Sequence, residues 1–202
     1  IKNREFEKAR NQFIHVLGIS KISDFFMLSF FQKMVNKYHG GRIQISTDSS
    51  SPGLYPVYGT YLHSPQLSKM TFTDLYFPKG ENLPYNATDL VPNPLGHPVS
   101  EGFTFGDVSN YKGDVTMKMT LNNLFVFNET VKQVEAIVKC HNELLQTIVP
   151  RDFYSILMSM EEMFKDPDKA IHIYNKNRQL YDRFGGSTRD LVNNEVFNKF
   201  FE

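Results

Sequence analysis

The sequence predicts an α+β domain in which helix and strand are segregated along the chain. It reads as a helical hairpin over 1–41, a mostly antiparallel sheet over 42–127, and a bundle of about three to four helices over 128–202. Three observations carry that expectation. Apolar residues recur at helical spacing before Gly40 and again after Asn128, an alternating pattern lies between them, and glycine, proline and serine clusters fall where the period changes. The 202 residues read as one domain, long enough to bury a substantial core.

In the opening segment, Phe6, Ala9, Phe13, Ile14 and Leu17 follow a helical period with charges between them, which predicts an amphipathic helix over 5–17 ended by Gly18. A second helix starts near Ser20 or Ser23, whose hydroxyls suit a cap. Its apolar residues run from Ile22 to Tyr38 and include Phe25, Phe26, Phe30 and Phe31. They cover more than one face, so the helix needs cover nearly all round, from its own domain or from a neighbour. The glycines of His39-Gly40-Gly41 end it.

The period then changes to alternation. Strands are expected at Arg42–Ser46, Val57–His63 and Lys69–Phe77, separated by Ser-Pro-Gly and Ser-Pro turn signals. The most regular alternation is Val115-Thr-Met-Lys-Met-Thr-Leu121, expected as a strand in a hairpin with Gly102–Val108. Between 78 and 101 lies a connection with five prolines, too rich in proline for an interior strand and of a length associated with function.

Past Asn128 the pattern is helical. Val131, Val134, Val138, His141, Leu145 and Ile148 make one stripe, and Pro150 suits the first turn of the next helix, which carries Phe153, Ile156, Leu157, Met160 and Phe164. Asp166 and Pro167 start another, which Gly185-Gly186 end, and Ser187 with Asp190 approximates a capping box for a last helix bearing Phe197, Phe200 and Phe201.

Composition narrows the function classes. Twenty-two basic residues balance twenty-two acidic ones, so no global field favours nucleic acid or an anionic membrane. The longest apolar run, around Phe25–Phe31, falls short of the roughly 20 residues that cross a bilayer. A single cysteine makes no internal disulfide and favours a reducing compartment such as cytosol or mitochondrial matrix. The sequons Asn86-Ala87-Thr88 and Asn128-Glu129-Thr130 instead suit a secretory route. The chain begins at Ile1 rather than Met, which reads as a fragment or a processed product.

The search for chemistry yields no catalytic constellation, cofactor motif or metal-ligand spacing. Cys140 and His141 are adjacent, and adjacent residues of one helix do not face each other, so the expectation is a packed thiol beside a histidine hydrogen-bonded in the core or at its rim. None of the six histidines lies at the i, i+4 spacing of a helical metal site, and Asp166 and Asp168 fit helix capping better than a calcium loop. His39-Gly-Gly-Arg42 follows a helix and reads as its end rather than as an oxyanion loop. His63, His97 and His141 stay as polar candidates for a site assembled by folding.

The surviving signal concerns surfaces. Phe25, Phe26, Phe30, Phe31, Phe197, Phe200 and Phe201 are the candidate interaction or ligand-pocket residues. The leading expectation is a non-catalytic structural or interaction subunit of a larger assembly, with other protein subunits as partners. The alternatives are a domain binding a lipid or small apolar ligand between sheet and Phe-rich helices, and an enzyme whose site is built around the 78–101 loop. An ordinary aromatic-rich core accounts for the phenylalanines equally well.

Overall fold

Gln12–Val16 forms the first strand, β1, of the computed structural model, which describes residues 12–41, 43–77, 85–109 and 113–185. The segment 5–17 was a helix by spacing, and its described part is extended. Phe13, Ile14, His15 and Val16 satisfy period 2 as well as period 3.6, and the β-branched pair Ile14 and Val16 favours the pleated form once a partner strand exists. That partner is β2, Ile43–Thr47, paired in parallel with the register Phe13↔Gln44 and His15↔Ser46. A parallel pair needs a long crossover, and the helix α1, Ile22–His39, supplies it. The N-terminal element is therefore a β-α-β unit in place of a helical hairpin.

The ends of α1 follow from its sequence. Asp24 stands in its first turn and Lys37 in its last, each charge opposite in sign to the helix-dipole end it faces. Gly40 and Gly41 follow with φ of 68° and 70°, a left-handed conformation that a side chain would strain.

The fold is mixed, α+β, and two compact units divide it: 1–16, 23–47 and 135–202 make the first, 17–22 and 48–134 the second. In the first, Phe26 meets Phe153 edge-on at 6.1 Å, Phe153 meets Phe184 at 5.1 Å, and Phe31 meets Phe164 at 5.3 Å. These rings tie α1 to the helices Arg151–Lys165 and Ala170–Gly185. Phe25, Phe26 and Phe30 are buried and Phe31 is half-buried.

In the second unit, a short helix α2, Ser51–Leu54, and a 3-10 turn, Tyr55–Tyr58, lead through Gly59 (φ 80°) into β3, Thr60–Gln66. β3 pairs antiparallel with β4, Thr71–Tyr76, around a 3-10 turn closed by Met70 at φ 57°. The register slips between Leu62 and Ser64, so His63 sits at a bulge. The expected single sheet thus divides into two separate two-stranded sheets among the described residues, one parallel and one antiparallel.

The expected hairpin of 102–108 with 115–121 is helical instead. Phe105–Ser109 forms α3, and Gly113–Lys139 forms the long helix α4. Seven alternating residues supply Val115 and Met119 at i, i+4, and the buried positions Asn122, Asn123, Val126, Phe127, Thr130 and Val134 continue that face for four more turns. Length decides between the two periods, since the helical one runs on past the point where alternation stops. The core of this unit gathers Tyr61, Phe77, Val91, Phe105, Val108, Val115 and Met119.

The helix expected to run to Val149 ends at Lys139. Cys140 bends, His141 is extended (φ −67°, ψ 150°), and α5, Asn142–Ile148, follows. After Pro150 comes α6, Arg151–Lys165, and after the 3-10 turn Pro167–Lys169 comes α7, Ala170–Gly185. Asp166 occupies the cap position without a side-chain cap bond. Its carboxylate accepts from Lys169 Nζ at 2.6 Å. The proposed last helix, with Phe197, Phe200 and Phe201, lies outside the described residues, as do residues 1–11 and 78–84.

Candidate functional site

The parallel pair β1–β2 has two unlike faces. Ile14, Val16, Ile43 and Ile45 point to one side and are buried or half-buried, apart from the exposed Thr47 at the end. Phe13, His15, Gln44 and Ser46 point to the other and are all exposed, Phe13 by 72%. On this bare face His15 Nδ1 and Ser46 Oγ share a 2.8 Å hydrogen bond. The outer edge of β2 is already occupied: Gln32 of α1 donates from Nε2 to the Ile43 carbonyl (2.8 Å) and accepts at Oε1 from the Ile45 N–H (2.7 Å). One amide thereby takes the two bonds a further strand would make there. No spacing rule flagged Gln32, because its role exists only once β2 lies beside it.

The residues that follow the two strands in the chain are joined to one another within the second unit. Gly18 N–H donates to Asp48 Oδ1 at 3.3 Å, and Ile19 N–H to the Asp48 carbonyl at 3.1 Å. Gly18 has φ 73°, which suits glycine.

The polar candidates fall in different settings. His63, at the bulge, is half-buried, with Nδ1 3.2 Å from Ser64 Oγ, and burial pushes its imidazole below the ordinary histidine range. His97 is buried and packs edge-on against Phe125 at 4.1 Å. Its Nδ1 accepts from the Ser100 N–H at 3.2 Å and lies 3.2 Å from Ser100 Oγ, which donates to Asn122 Oδ1 at 3.0 Å. Tyr61 lies in the same unit with a buried hydroxyl that makes no hydrogen bond of good geometry. Burial pushes its phenol up, and the neighbouring Ser100 hydroxyl acts the other way.

His141 is exposed, and its stripe breaks at the bend, so it is no core histidine. Cys140 is exposed too, and its thiol donates to the Ala136 carbonyl at 3.3 Å. The packed thiol is thus corrected by the helix end, and Cys140→Ser should change stability by less than about 0.5 kcal/mol in urea denaturation. The bend is held from α1: Lys33 Nζ donates to the carbonyls of Val138 (2.7 Å) and Cys140 (3.0 Å) and to Asn142 Oδ1 (3.3 Å). A cation on the last carbonyls of a helix is favourable there. Burial lowers the Lys33 pKa, and the Glu161 carboxylate raises it in opposition.

A second apolar surface lies on α4, where Met117, Leu121 and Leu124 are exposed at i, i+4, i+7 spacing, opposite the buried Val115, Met119 and Val126. No group of three histidine, cysteine or acidic side chains among the described residues is placed to hold a metal ion. No helix among them is long and apolar enough to cross a membrane. Comparison with protein-family models, with curated proteins and with solved structures finds no match.

Proposed function

We propose that this chain is a non-catalytic structural or interaction subunit of a larger protein assembly, and that the bare face of β1–β2 is where a neighbouring protein packs. The observation that carries the reading is Phe13, 72% exposed on a parallel strand pair whose other face is packed. Antiparallel sheets commonly leave one face to water, whereas parallel sheets are found with both faces covered. A single exposed aromatic residue is ordinary on a surface. An exposed Phe13 on a parallel pair is not, and it sets this surface apart from the stripe on α4.

The residues that support this reading are not the phenylalanines of α1. Phe25, Phe26 and Phe30 of α1 are enclosed, so they offer neither a docking surface nor an open pocket wall for a lipid, and Phe13 takes their place. A photoreactive phenylalanine analogue at position 13 of the full chain, in the cells that make it, tests the reading. A protein adduct is expected from position 13 and not from position 171, an exposed site on α7. Equal yields at both positions, or none at 13, would overturn it. Phe13→Asp should abolish the adduct partner's co-isolation and leave the melting temperature unchanged.

A second reading is favoured by the Gly18–Asp48 contact: a small polar ligand bound at residues 17–22 and 48–50 of the second unit. Native mass spectrometry of gently isolated chain should then show a retained small molecule that Asp48→Ala loses. A clean apo mass for the wild-type chain counts against it.

A further inference from the structure

The segment 89–105 of the second unit is fastened at one point by a histidine used as a hydrogen-bond acceptor. His97 takes the cap position of the 3-10 turn Pro98–Ser100, and its own Nδ1 receives the Ser100 N–H. Histidine is an unusual cap, since the common ones carry an oxygen that does not ionise near neutrality. Asn93 clamps the same residue through the backbone, donating from Nδ2 to the His97 carbonyl (2.9 Å) and accepting the His97 N–H (2.8 Å). From Ser100 the chain of bonds runs outward: its hydroxyl donates to Asn122 Oδ1 on α4, and Asn122 Nδ2 donates to the Leu62 carbonyl on β3 (2.8 Å). Loop, helix and strand are joined through Ser100, whose N–H the imidazole accepts.

The tautomer is thereby fixed, with Nδ1 bare and the proton on Nε2. Protonation would place a second hydrogen on Nδ1, facing a backbone N–H that has only a hydrogen to offer. Two donors repel where one bond stood, and the Ser100 N–H loses its side-chain acceptor. Among the described residues the only acceptor the new Nδ1 hydrogen meets is the Ser100 hydroxyl, 3.2 Å away, and no carboxylate faces the ring. α4 presents Asn122 and Phe125 to this cluster, β3 presents Tyr61, and the loop presents Asn93 and Ser100; none of these is an acid that would hold an imidazolium.

We propose that His97 is a pH-sensitive latch: neutral, it fastens residues 89–105 to α4 and β3, and protonated, it releases them. The sign follows from burial, which lowers the ring's pKa below its ordinary 6.5 in the fastened state. The released state therefore binds more protons below that value, and fastening is complete above about pH 6.5 and is lost as pH falls through the lowered value.

Hydrogen exchange of the full chain tests the latch. Between pH 7.5 and 5.5, after correction for intrinsic rates, amides of Val91, Ser100, Phe103 and Phe105 should open several-fold more often, up to about tenfold. Amides of β4 serve as the reference. In His97→Asn, whose side-chain oxygen accepts the same Ser100 N–H and does not titrate, the increase should vanish while circular dichroism at pH 8 stays that of the wild type. An equal increase in His97→Asn, or none in the wild type, would overturn the latch. If the variant fails to fold, the wild type decides alone: loop opening must track the His97 ring proton shifts, and a loop that stays protected while the ring protonates sinks the idea.

Discussion

In β3–β4 the outer edge of β3 is held by two side chains of α4. Leu62 N–H donates to Asn123 Oδ1 (2.8 Å), Asn123 Nδ2 donates to the Thr60 carbonyl (3.0 Å), and Asn122 takes the Leu62 carbonyl. In β1–β2 the outer edge of β2 is held, among the described residues, by the one side chain of Gln32. Both sheets are too small to stand as isolated ribbons, and each borrows a helix to finish its hydrogen bonding. They differ in completeness. The asparagine pair is buried, and Asn123 is at 0% exposure, whereas the glutamine is half-buried and the far side of its sheet is bare. A side-chain amide substitutes for a neighbouring strand where a helix crosses close by, but it covers an edge and not a face. The far face of β1–β2 stays exposed.

The comparison can be broken most sharply at Asn123. Asn123→Ala strands a buried N–H and a carbonyl of β3 together, so a loss of roughly 2–4 kcal/mol in urea denaturation is expected. A loss below about 1 kcal/mol would mean that β3 is held by packing alone. Gln32→Ala strands the equivalent groups of β2 nearer to solvent, and about 1–2 kcal/mol is expected. An effect larger than that of Asn123→Ala would reverse the ranking of the two edges.

A smaller, pH-dependent effect belongs to the first unit. The Lys37 ammonium (2.8 Å) holds the Glu161 carboxyl below the usual carboxylate range, with Lys165 assisting at 3.4 Å. The stability this adds is present above the ordinary glutamate pKa and disappears as pH falls through the lowered one. The difference between wild type and Glu161→Gln should therefore be about 0.5–1 kcal/mol at pH 7, discounted for two exposed lysines, and should shrink toward pH 3 in parallel melts. Smallest of all, Phe13→Asp should move stability by less than about 0.5 kcal/mol, as expected for a side chain left 72% exposed. A larger loss would show that the bare face is already in use.

Element boundaries were legible where punctuation is covalent. His39-Gly40-Gly41, Pro150 and Pro167 end or begin helices because backbone dihedrals leave no alternative. The stretches Gln12–Val16 and Val115–Leu121 were not legible, for one shared reason. Each is short enough that its apolar residues satisfy both periods, so the state depends on what lies beside it. A parallel partner made the first a strand, and a continuous buried face down to Val134 made the second a helix. The candidate site suffered likewise. His97 was singled out by residue type, but its bonds to Ser100 and Asn122 span turns and elements that no local pattern records, and Phe13 was assigned to a helical face.

By itself, the sequence determined the mixed character of the fold, the helical identity of α1 and of most of the chain beyond Asn128, and the buried fate of residues such as Phe153, Ile156 and Leu157. Those properties are local: propensity, period and turn chemistry act within a few residues. Which short segments pair, which edge an amide closes and which face stays bare were decided only by the tertiary structure. Those depend on groups up to about 60 positions apart in the sequence, as with Leu62 and Asn123, and their energies exist only after the chain has brought them together.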